Sequence, residues 1–215
     1  MTNSAFDHVT HWVFDLDNTL YAPAVRLFDQ IEVKMTDYMV RLLGIEPAEA
    51  NRLRQHYWQT YGTTLAGLMQ QHGIEPDPFL HEVHQIDFSA LEPDPELAAA
   101  IDALPGRKVI YTNGTAPYAS EVLHARGLQH LFDSIYGVEH ANFHPKPKAE
   151  AYKKVFQRDG LIPQQAAMFE DEARNLAVPA SLGMRTVLVH GTRAADAGYI
   201  DYETHDLTAF LRQIV

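Results

Sequence analysis

Hydrophobic side chains follow two different patterns along the chain. In the first, they recur every three or four residues between Leu27 and Ile86, which is the spacing of helices with one buried face. This spacing predicts helices over residues 27–43, residues 47–61, a stretch that ends near Gly73, and residues 76–86. No part of residues 21–90 has the pattern of a strand, so we expect an all-helical block there.

The rest of the chain alternates short apolar runs with helical spacing. The first run, Trp12-Val13-Phe14, is typical of a buried strand. Further strands are predicted over residues 108–112, 134–138, 166–169 and 186–189. Helices are predicted over residues 116–126, 148–159, 172–182 and 206–214. Strands that alternate with helices indicate an α/β fold whose parallel sheet is covered on both faces.

Two acids follow the first predicted strand directly. Asp15 and Asp17 stand at its carboxyl end with one residue between them, and this is the end where open α/β sheets bind ligands. Because two carboxylates at one strand end repel each other, a hard divalent cation with oxygen ligands would hold them together. The alternative is an ordinary turn, since Asp and Asn favour turns by hydrogen-bonding to their own backbone.

Two later loops offer groups that could bind an anion. Residues 112–115, with the sequence Thr-Asn-Gly-Thr, would present a hydroxyl and backbone N–H groups at a helix start, where phosphate binds. The alternative is a strand-to-helix turn capped by Thr115. Lys146 lies between two prolines, which stiffen its loop and would aim the ammonium group at a fixed point. A solvated loop lysine is the alternative there.

A second group of acids follows the strand predicted over residues 166–169. Glu170, Asp171 and Glu172 stand where this strand gives way to a helix. Acids at a helix start also stabilise the helix dipole, which is a common structural role. Asp171, which comes directly off the strand end, is the better candidate for a metal ligand.

Composition narrows the classes of function. The chain has 215 residues, 46% of them hydrophobic, which suits one domain with a sizeable core or a core with a small insert. The net charge of -11 argues against a nucleic-acid-binding face, and the lack of cysteine excludes disulfides and thiolate sites. We see no signal segment and no run that would span a membrane, so we expect a cytoplasmic protein without membrane partners.

Taken in order, the four strand ends carry Asp-x-Asp, Thr, Lys and Glu-Asp. This series resembles the four motifs of the haloacid dehalogenase-like (HAD) superfamily of phosphohydrolases over essentially the whole chain. More closely, Asp-Leu-Asp-Asn-Thr-Leu-Tyr-x-Pro, Thr-Asn-Gly, His-Pro-Lys-Pro and Phe-Glu-Asp-x-x-x-Asn resemble the pyrimidine 5′-nucleotidase branch. Glu170 and Glu172 depart from that branch, because aspartate and serine are commoner at these two positions.

The resemblance implies both a fold and a reaction. The fold would be a Rossmann-like core of residues 1–20 and 91–215, with a small helical cap domain over residues 21–90. The reaction would be Mg²⁺-dependent hydrolysis of a small phosphomonoester, such as a nucleoside monophosphate. Asp15 would attack phosphorus to form an aspartyl-phosphate, and Asp17 would act first as general acid and then as general base.

The resemblance also assigns the supporting groups. Mg²⁺ would be held by the Asp15 side chain, the Asp17 backbone carbonyl and Asp171. The groups that would take the charge of the phosphoryl oxygens are Thr112, the N–H groups of Asn113 and Gly114, and Lys146. Glu170 would orient Lys146, and Asn175 would support the loop that carries Asp171.

The sequence also has to be weighed against other functions. The same core could serve a phosphatase or mutase of small sugar phosphates. A protein that keeps the fold only for binding would not need a general acid. The presence of all four candidate residues speaks against it: Asp15, Asp17, Lys146 and Asp171. A dinucleotide-binding oxidoreductase is disfavoured, because no Gly-x-Gly-x-x-Gly follows the first strand. Residues 81–84, with the sequence His-Glu-Val-His, lack the spacing of a zinc motif, and we interpret them as one face of a cap helix.

Overall fold

The computed structural model describes residues 3–191 and 197–215. Its centre is one six-stranded sheet in the order β3-β2-β1-β4-β5-β6, in which every neighbouring pair is parallel. The strands are β1 (His11–Phe14), β2 (Arg107–Tyr111), β3 (Ser134–Tyr136), β4 (Ala166–Glu170), β5 (Arg185–Val189) and β6 (Tyr202–Thr204). The predicted α/β class and parallel sheet are therefore confirmed.

The α-helices that the structure describes all follow β1, and the last of them also follows β6. Those of the first half are α1 (Leu27–Leu43), α2 (Pro47–Tyr61), α3 (Thr64–His72) and α4 (Pro76–Val83). Those farther along the chain are α5 (Pro95–Asp102), α6 (Ala116–Ala125), α7 (Ala149–Asp159), α8 (Ala177–Ser181) and α9 (Leu207–Ile214). Within the described parts of the chain, none of the helices is long and apolar enough to cross a bilayer.

The sheet is buried because its central strands are apolar on both faces. Along β1, Trp12 and Phe14 belong to the core on one face, whereas Val13 belongs to the core on the other. Since β1 pairs with β2 on one side and with β4 on the other, the carboxyl ends of these three strands lie next to one another. The loops that follow them therefore meet at one edge of the sheet.

The all-helical block predicted over residues 21–90 is present as α1 to α4, and no described residue in it is in a strand. Helix α1 packs on α2 and α4, and α2 packs on α3. An ion pair between Arg41 and Glu82 also joins α1 to α4. The apolar core on one sheet face continues into this block through residues such as Leu27 and Ile31. That the helical block forms a cap domain separate from the core stays a prediction.

Three elements differ from the sequence-based expectation. Helix α5 is not among the helices predicted from the sequence. In the structure Pro95 opens this helix, and the Asp94 side chain accepts a hydrogen bond from the Leu97 N–H at 2.9 Å. Strand β6 was also missed, since its three residues are too few to establish a pattern.

The third difference is the helix predicted over residues 172–182. It is a 3-10 turn, Ala173–Leu176, followed by the short helix α8. Pro179 has no N–H to donate to the Asn175 carbonyl, which a continuous α-helix would require. The Asn175 carbonyl accepts a hydrogen bond from the Tyr152 hydroxyl at 2.6 Å instead.

The contact between α2 and α3 gives a test of the packing in the helical block. A Cβ added at Gly67 would overlap the Tyr57 ring. We expect Gly67→Ala to lower the free energy of unfolding by about 1–3 kcal/mol through overpacking, more than the roughly 1 kcal/mol gained in helix propensity. Urea denaturation measures the change. Gly198→Ala is the control, since a Cβ there meets nothing within 4 Å; an equal effect of both changes would contradict this packing.

Candidate active site

Asp15 lies at the carboxyl end of β1 and is held on both oxygens. Its backbone N–H donates to the Phe169 carbonyl at 2.9 Å, so the ladder with β4 extends one residue past the strand. Oδ1 accepts a hydrogen bond from Lys146 Nζ at 2.7 Å, and Oδ2 accepts one from the Thr19 hydroxyl at 3.2 Å. The side chain is buried, so its orientation is set by the core and not by solvent.

Lys146 is fully buried and is surrounded by acceptors. Its ammonium donates to Asp15 Oδ1 at 2.7 Å, to Glu170 Oε2 at 2.6 Å and to the Tyr111 carbonyl at 3.0 Å. Burial alone would lower the pKa of Lys146, but the two carboxylates outweigh burial and raise the pKa above its ordinary value. Because all three protons are used within the protein, any contact to a phosphate must share one of them.

The loop that carries Lys146 is fastened to the loop after β2. The Asn113 side chain accepts a hydrogen bond from the Lys146 N–H at 2.8 Å and donates one to the Lys146 carbonyl at 3.1 Å. The Gly114 N–H donates to the buried Thr112 hydroxyl at 2.9 Å. The phosphate contacts expected of Thr112, Asn113 and Gly114 stay predictions. For Gly114, a bound phosphate would compete with the threonine hydroxyl.

Three carboxylates converge where β1 and β4 end. Oxygens of Asp15, Glu170 and Asp171 all lie within 4.8 Å of one another. Lys146 pairs with the first two, whereas Asp171 forms no ion pair within residues 3–191 and 197–215. Burial, followed by the nearby Glu170 and Asp15, raises the pKa of Asp171 to about 10. The cluster therefore carries more negative charge than Lys146 neutralises.

This donor set fits a hard divalent cation. Carboxylate oxygens are the ligands that Mg²⁺ prefers, and a cation would offset the charge that Lys146 leaves unbalanced. Asn175 lines the same cavity as the cluster, and its buried side-chain oxygen has no hydrogen-bond partner among the residues that the structure describes. Buried oxygens of this kind normally find a partner, such as a water molecule around an ion. Of the predicted ligands, the Asp15 and Asp171 carboxylates lie together in the cluster.

The Asp17 carboxylate lies apart from the acid cluster. Its Oδ1 accepts hydrogen bonds from the Tyr21 hydroxyl at 2.7 Å and from the Tyr118 hydroxyl at 2.6 Å. Burial and the neighbouring Asp15 raise the pKa of Asp17 to about 6, against the two hydroxyls, which lower it. The pKa of Asp15 is likewise raised to about 6, by burial and by Glu170. Two carboxylates two residues apart thus have different neighbours.

The order of these groups along the chain agrees with a comparison against protein families. The family model described as haloacid dehalogenase-like hydrolase matches residues 9–183, which include every residue of the candidate site. The chain belongs to the haloacid dehalogenase-like hydrolases. The motifs that suggested this family in the sequence thus mark true membership, whereas the finer assignment to the pyrimidine 5′-nucleotidase branch is not shown.

Curated relatives of this HAD-like hydrolase are distant. Phosphate metabolism protein 8 of Saccharomyces cerevisiae is 27% identical over 193 residues, which cover 81% of this chain and 60% of the yeast protein. Fructose-1-phosphate phosphatase YqaB of Escherichia coli is 26% identical over 125 residues, which cover 55% of this chain and 65% of that protein. The matches thus span less than two thirds of the length of either relative.

A solved structure supports the fold. The HAD-hydrolase YfnB of Bacillus subtilis, bound to magnesium, has a TM-score of 0.60 with this chain at 17% sequence identity. The alignment covers 96% of this chain and 98% of YfnB. At this identity the likeness establishes the HAD fold, including the Rossmann-like sheet, and not the substrate.

The site of this hydrolase opens into a cavity of about 520 Å³ between the sheet edge and the helical block. Asp15, Asp17 and Asp171 line it from the sheet side. The apolar lining from the helical block consists of Phe28, Ile31, Met35, Phe79, Leu80 and Val83. Polar groups of the block that also line the cavity are Glu32, Arg54, Gln55 and Gln59. A volume in this range suits a small-molecule ligand.

Several residues of the site were missed in the sequence. Arg174 donates to the Trp58 carbonyl at 3.1 Å and to the Gly62 carbonyl at 3.3 Å, and its guanidinium lies 3.9 Å from the centre of the Trp58 ring. It thereby ties the loop after β4 to helix α2. Tyr21 and Tyr118 were missed as well. Of these residues, only Tyr21 is part of the motif pattern that resembles the family. That pattern does not indicate that Tyr21 contacts Asp17.

The charge imbalance leads to a prediction about Asp171. Its raised pKa means that folding takes up a proton above about pH 4, so the metal-free protein should lose stability as pH rises toward about 10. Asp171→Asn removes this cost, and we expect it to raise the free energy of unfolding at about pH 8 by about 1–3 kcal/mol in EDTA. Mg²⁺ should stabilise the parent protein but not the variant.

Thermal unfolding with and without Mg²⁺ measures both effects. Asp7→Asn changes an exposed carboxylate outside the cluster and serves as the matched control. An equal gain from Mg²⁺ in the parent and in Asp171→Asn would show that Asp171 does not hold the ion.

Proposed function

We propose that the chain is a Mg²⁺-dependent phosphomonoester hydrolase that works through an aspartyl-phosphate. The observation that carries the proposal is the separation of Asp15 from Asp17. Both line the cavity, but only Asp15 lies in the acid cluster beside Lys146, while Asp17 is held by two hydroxyl groups. One carboxylate is therefore placed for attack and the other for proton transfer.

Asp17 also distinguishes phosphate esters from haloacids. An alkoxide leaving group is a strong base and must receive a proton as its bond to phosphorus breaks, whereas a halide leaves without one. A second carboxylate at the cavity wall supplies that proton. The site therefore supports phosphoryl transfer over dehalogenation, although both chemistries are compatible with the fold.

In the proposed reaction, an Asp15 oxygen forms a bond to phosphorus while the ester P–O bond breaks. Asp17 gives its proton to the leaving oxygen, and it then removes a proton from the water that attacks the phospho-aspartate. Hydrolysis releases inorganic phosphate and restores both carboxyl groups. Lys146, which donates to Asp15, keeps that carboxylate oriented and favours its ionised form.

The remaining roles follow from the predicted positions. Asp15, Asp171 and the Asp17 carbonyl would hold Mg²⁺, which when bound would offset the repulsion between carboxylate and phosphate. Thr112, Asn113, Gly114 and Lys146 would balance the charge on the phosphoryl oxygens. Glu170 lies on Lys146 at 2.6 Å and would keep its ammonium group in place.

For the leaving group we propose a nucleoside, most simply a pyrimidine nucleoside. The helical block, residues 21–90, would act as the cap that encloses it, since the acid cluster and Asp17 lie outside the block. An apolar wall with a few polar groups suits a planar base better than a hexose, whose many hydroxyls each need a partner. The motif resemblance to pyrimidine 5′-nucleotidases supports the same choice.

A small sugar phosphate is the second candidate substrate. The Escherichia coli relative is named a fructose-1-phosphate phosphatase, and the polar side chains of Glu32, Arg54, Gln55 and Gln59 could bind sugar hydroxyls. A mutase on the same core would need an activating bisphosphate, which a simple phosphatase does not.

Phosphate release from a substrate panel tests the proposal. The panel contains pyrimidine and purine nucleoside monophosphates, fructose 1-phosphate and glucose phosphates, each with Mg²⁺ and with EDTA. We expect the highest kcat/KM for pyrimidine nucleoside monophosphates and loss of turnover in EDTA. Faster release from sugar phosphates would favour the second candidate, and full activity after dialysis against EDTA would contradict the metal requirement.

The covalent mechanism predicts a distinct phenotype for Asp17→Asn. This change keeps the nucleophile Asp15 and the Asp17 backbone, so nitrophenyl phosphate, which needs little acid help, should still phosphorylate the enzyme. Hydrolysis of the phospho-aspartate still needs the base, so steady turnover should fall by about 10²- to 10⁴-fold. We expect a burst of nitrophenol and a mass increase that is stable in acid and labile in base.

Asp15→Asn is the matched control, because it removes the nucleophile two residues away. It should show neither burst nor mass increase. Steady turnover by Asp15→Asn at the parent rate would rule out the covalent mechanism and leave direct attack by water.

A further inference from the structure

Two buried tyrosines converge on a single oxygen of Asp17. The Tyr21 hydroxyl lies 2.7 Å from Asp17 Oδ1, and the Tyr118 hydroxyl lies 2.6 Å from the same atom. Each tyrosine is only 3% exposed, and neither belongs to the lining of the cavity, whereas Asp17 does. The two phenols therefore hold the carboxyl group from behind, on the side away from a ligand.

This arrangement decides which oxygen of Asp17 carries the proton. A proton on Oδ1 would place three hydrogens on one atom, whereas a proton on Oδ2 leaves Oδ1 free to accept from both phenols. Two accepted hydrogen bonds favour Oδ1 as the unprotonated oxygen, so we place the proton on Oδ2. Oδ2 is thus the atom that donates to the leaving oxygen in the proposed reaction.

The position of Tyr118 is set by the turn after β2. Its N–H donates to the Thr115 hydroxyl at 3.3 Å, which caps α6. A Cβ at Gly114 would lie 2.8 Å from Tyr118 Cδ1, so the ring packs tightly on a glycine of the predicted phosphate loop. The same turn therefore forms the predicted phosphate loop and also positions the Tyr118 ring.

The helical block contacts this ring as well. His84, which ends α4, stacks on Tyr118 with ring centres 4.4 Å apart and planes at 11°. The His84 Nδ1 atom also lies 3.4 Å from the Thr115 hydroxyl. His84 belongs to the His-Glu-Val-His sequence of residues 81–84, which lacks the spacing of a zinc motif. The Tyr118 ring lies between His84 and Asp17.

We propose that Tyr21 and Tyr118 are positioning residues that aim Asp17 at the leaving oxygen, and that His84 fixes Tyr118 from the helical block. This inference rests on the proposed phosphatase function. Neither tyrosine lines the cavity, so neither would contact a substrate bound there. They act through Asp17, so their loss should affect the steps that need its proton more than the steps that do not.

The test compares two leaving groups in Tyr21→Phe, Tyr118→Phe and the double variant. One substrate is nitrophenyl phosphate, and the other is the best alkyl phosphate from the panel. kcat/KM covers only the steps through formation of the phospho-enzyme, which isolates the acid role. We expect the double variant to lose about 10- to 100-fold in kcat/KM for the alkyl ester, and less than about threefold for nitrophenyl phosphate.

Tyr136→Phe is the matched control. Its hydroxyl also donates to a buried aspartate, Asp159, at 2.9 Å, but on strand β3 and away from the cavity. It should leave the ratio of the two kcat/KM values unchanged within about twofold. Melting curves show whether each variant folds. If the double variant does not fold, either single tyrosine variant replaces it in the comparison of the two esters.

Two variants of His84 test the link to the helical block. His84→Phe keeps an aromatic ring against Tyr118 and should keep the parent ratio of the two kcat/KM values. His84→Ala removes the stack and should shift the ratio in the same direction as Tyr118→Phe. Equal ratios in His84→Ala and the parent would overturn the role of His84.

The outcomes separate this inference from the function on which it rests. A parent enzyme that cleaves both esters, with a double variant of unchanged ratio, overturns the positioning role alone. Equal losses for both esters also overturn it, since a general loss of structure would produce them. A parent enzyme that cleaves neither ester overturns the proposed function, and the positioning role falls with it.

Discussion

The site depends on the crowding of three carboxylates against one buried lysine. Asp15, Glu170 and Asp171 lie within 4.8 Å of one another, and Lys146 pairs with two of them. Burial strengthens both the attraction and the repulsion, because a low-dielectric interior screens neither. The arrangement is stable only where rigid elements impose it or a cation relieves it. In the proposed function, this charge, which is costly for folding, would bind a metal ion, and the ion would in turn hold an anionic substrate.

The sheet topology supplies the rigidity. Strand β1 lies between β2 and β4, so loops more than ninety residues apart in the chain meet at its carboxyl end. The strands beneath them are buried on both faces, which fixes where each loop begins. Side chains of one loop then fasten the next, as the Asn113 amide does with both backbone groups of Lys146. Preorganisation of this kind is what electrostatic catalysis requires.

The sequence predicted those parts of the site that belong to a single strand end or to a single rigid loop. Asp15, Glu170 and Asp171 could be found because each follows a recognisable apolar run, and Lys146 could be found because two prolines bracket it. Tyr21, Tyr118, His84 and Arg174 could not, because their roles are contacts between distant segments and their local patterns suit ordinary core or surface residues. Helix α5 was missed since its prolines fit a linker as well as a helix start, and β6 was too short to show a pattern.

The helical block contributes no member of the acid cluster, yet it is attached on two sides of the cavity. Arg174, from the loop after β4, lies on Trp58 of α2 and donates to two carbonyls at the end of that helix. His84, at the end of α4, lies on Tyr118 and so one ring from Asp17. Any displacement of the block must disturb both contacts together. Because one contact adjoins the acid cluster and the other adjoins Asp17, the geometry of the cluster and of Asp17 is coupled to the position of the helical block.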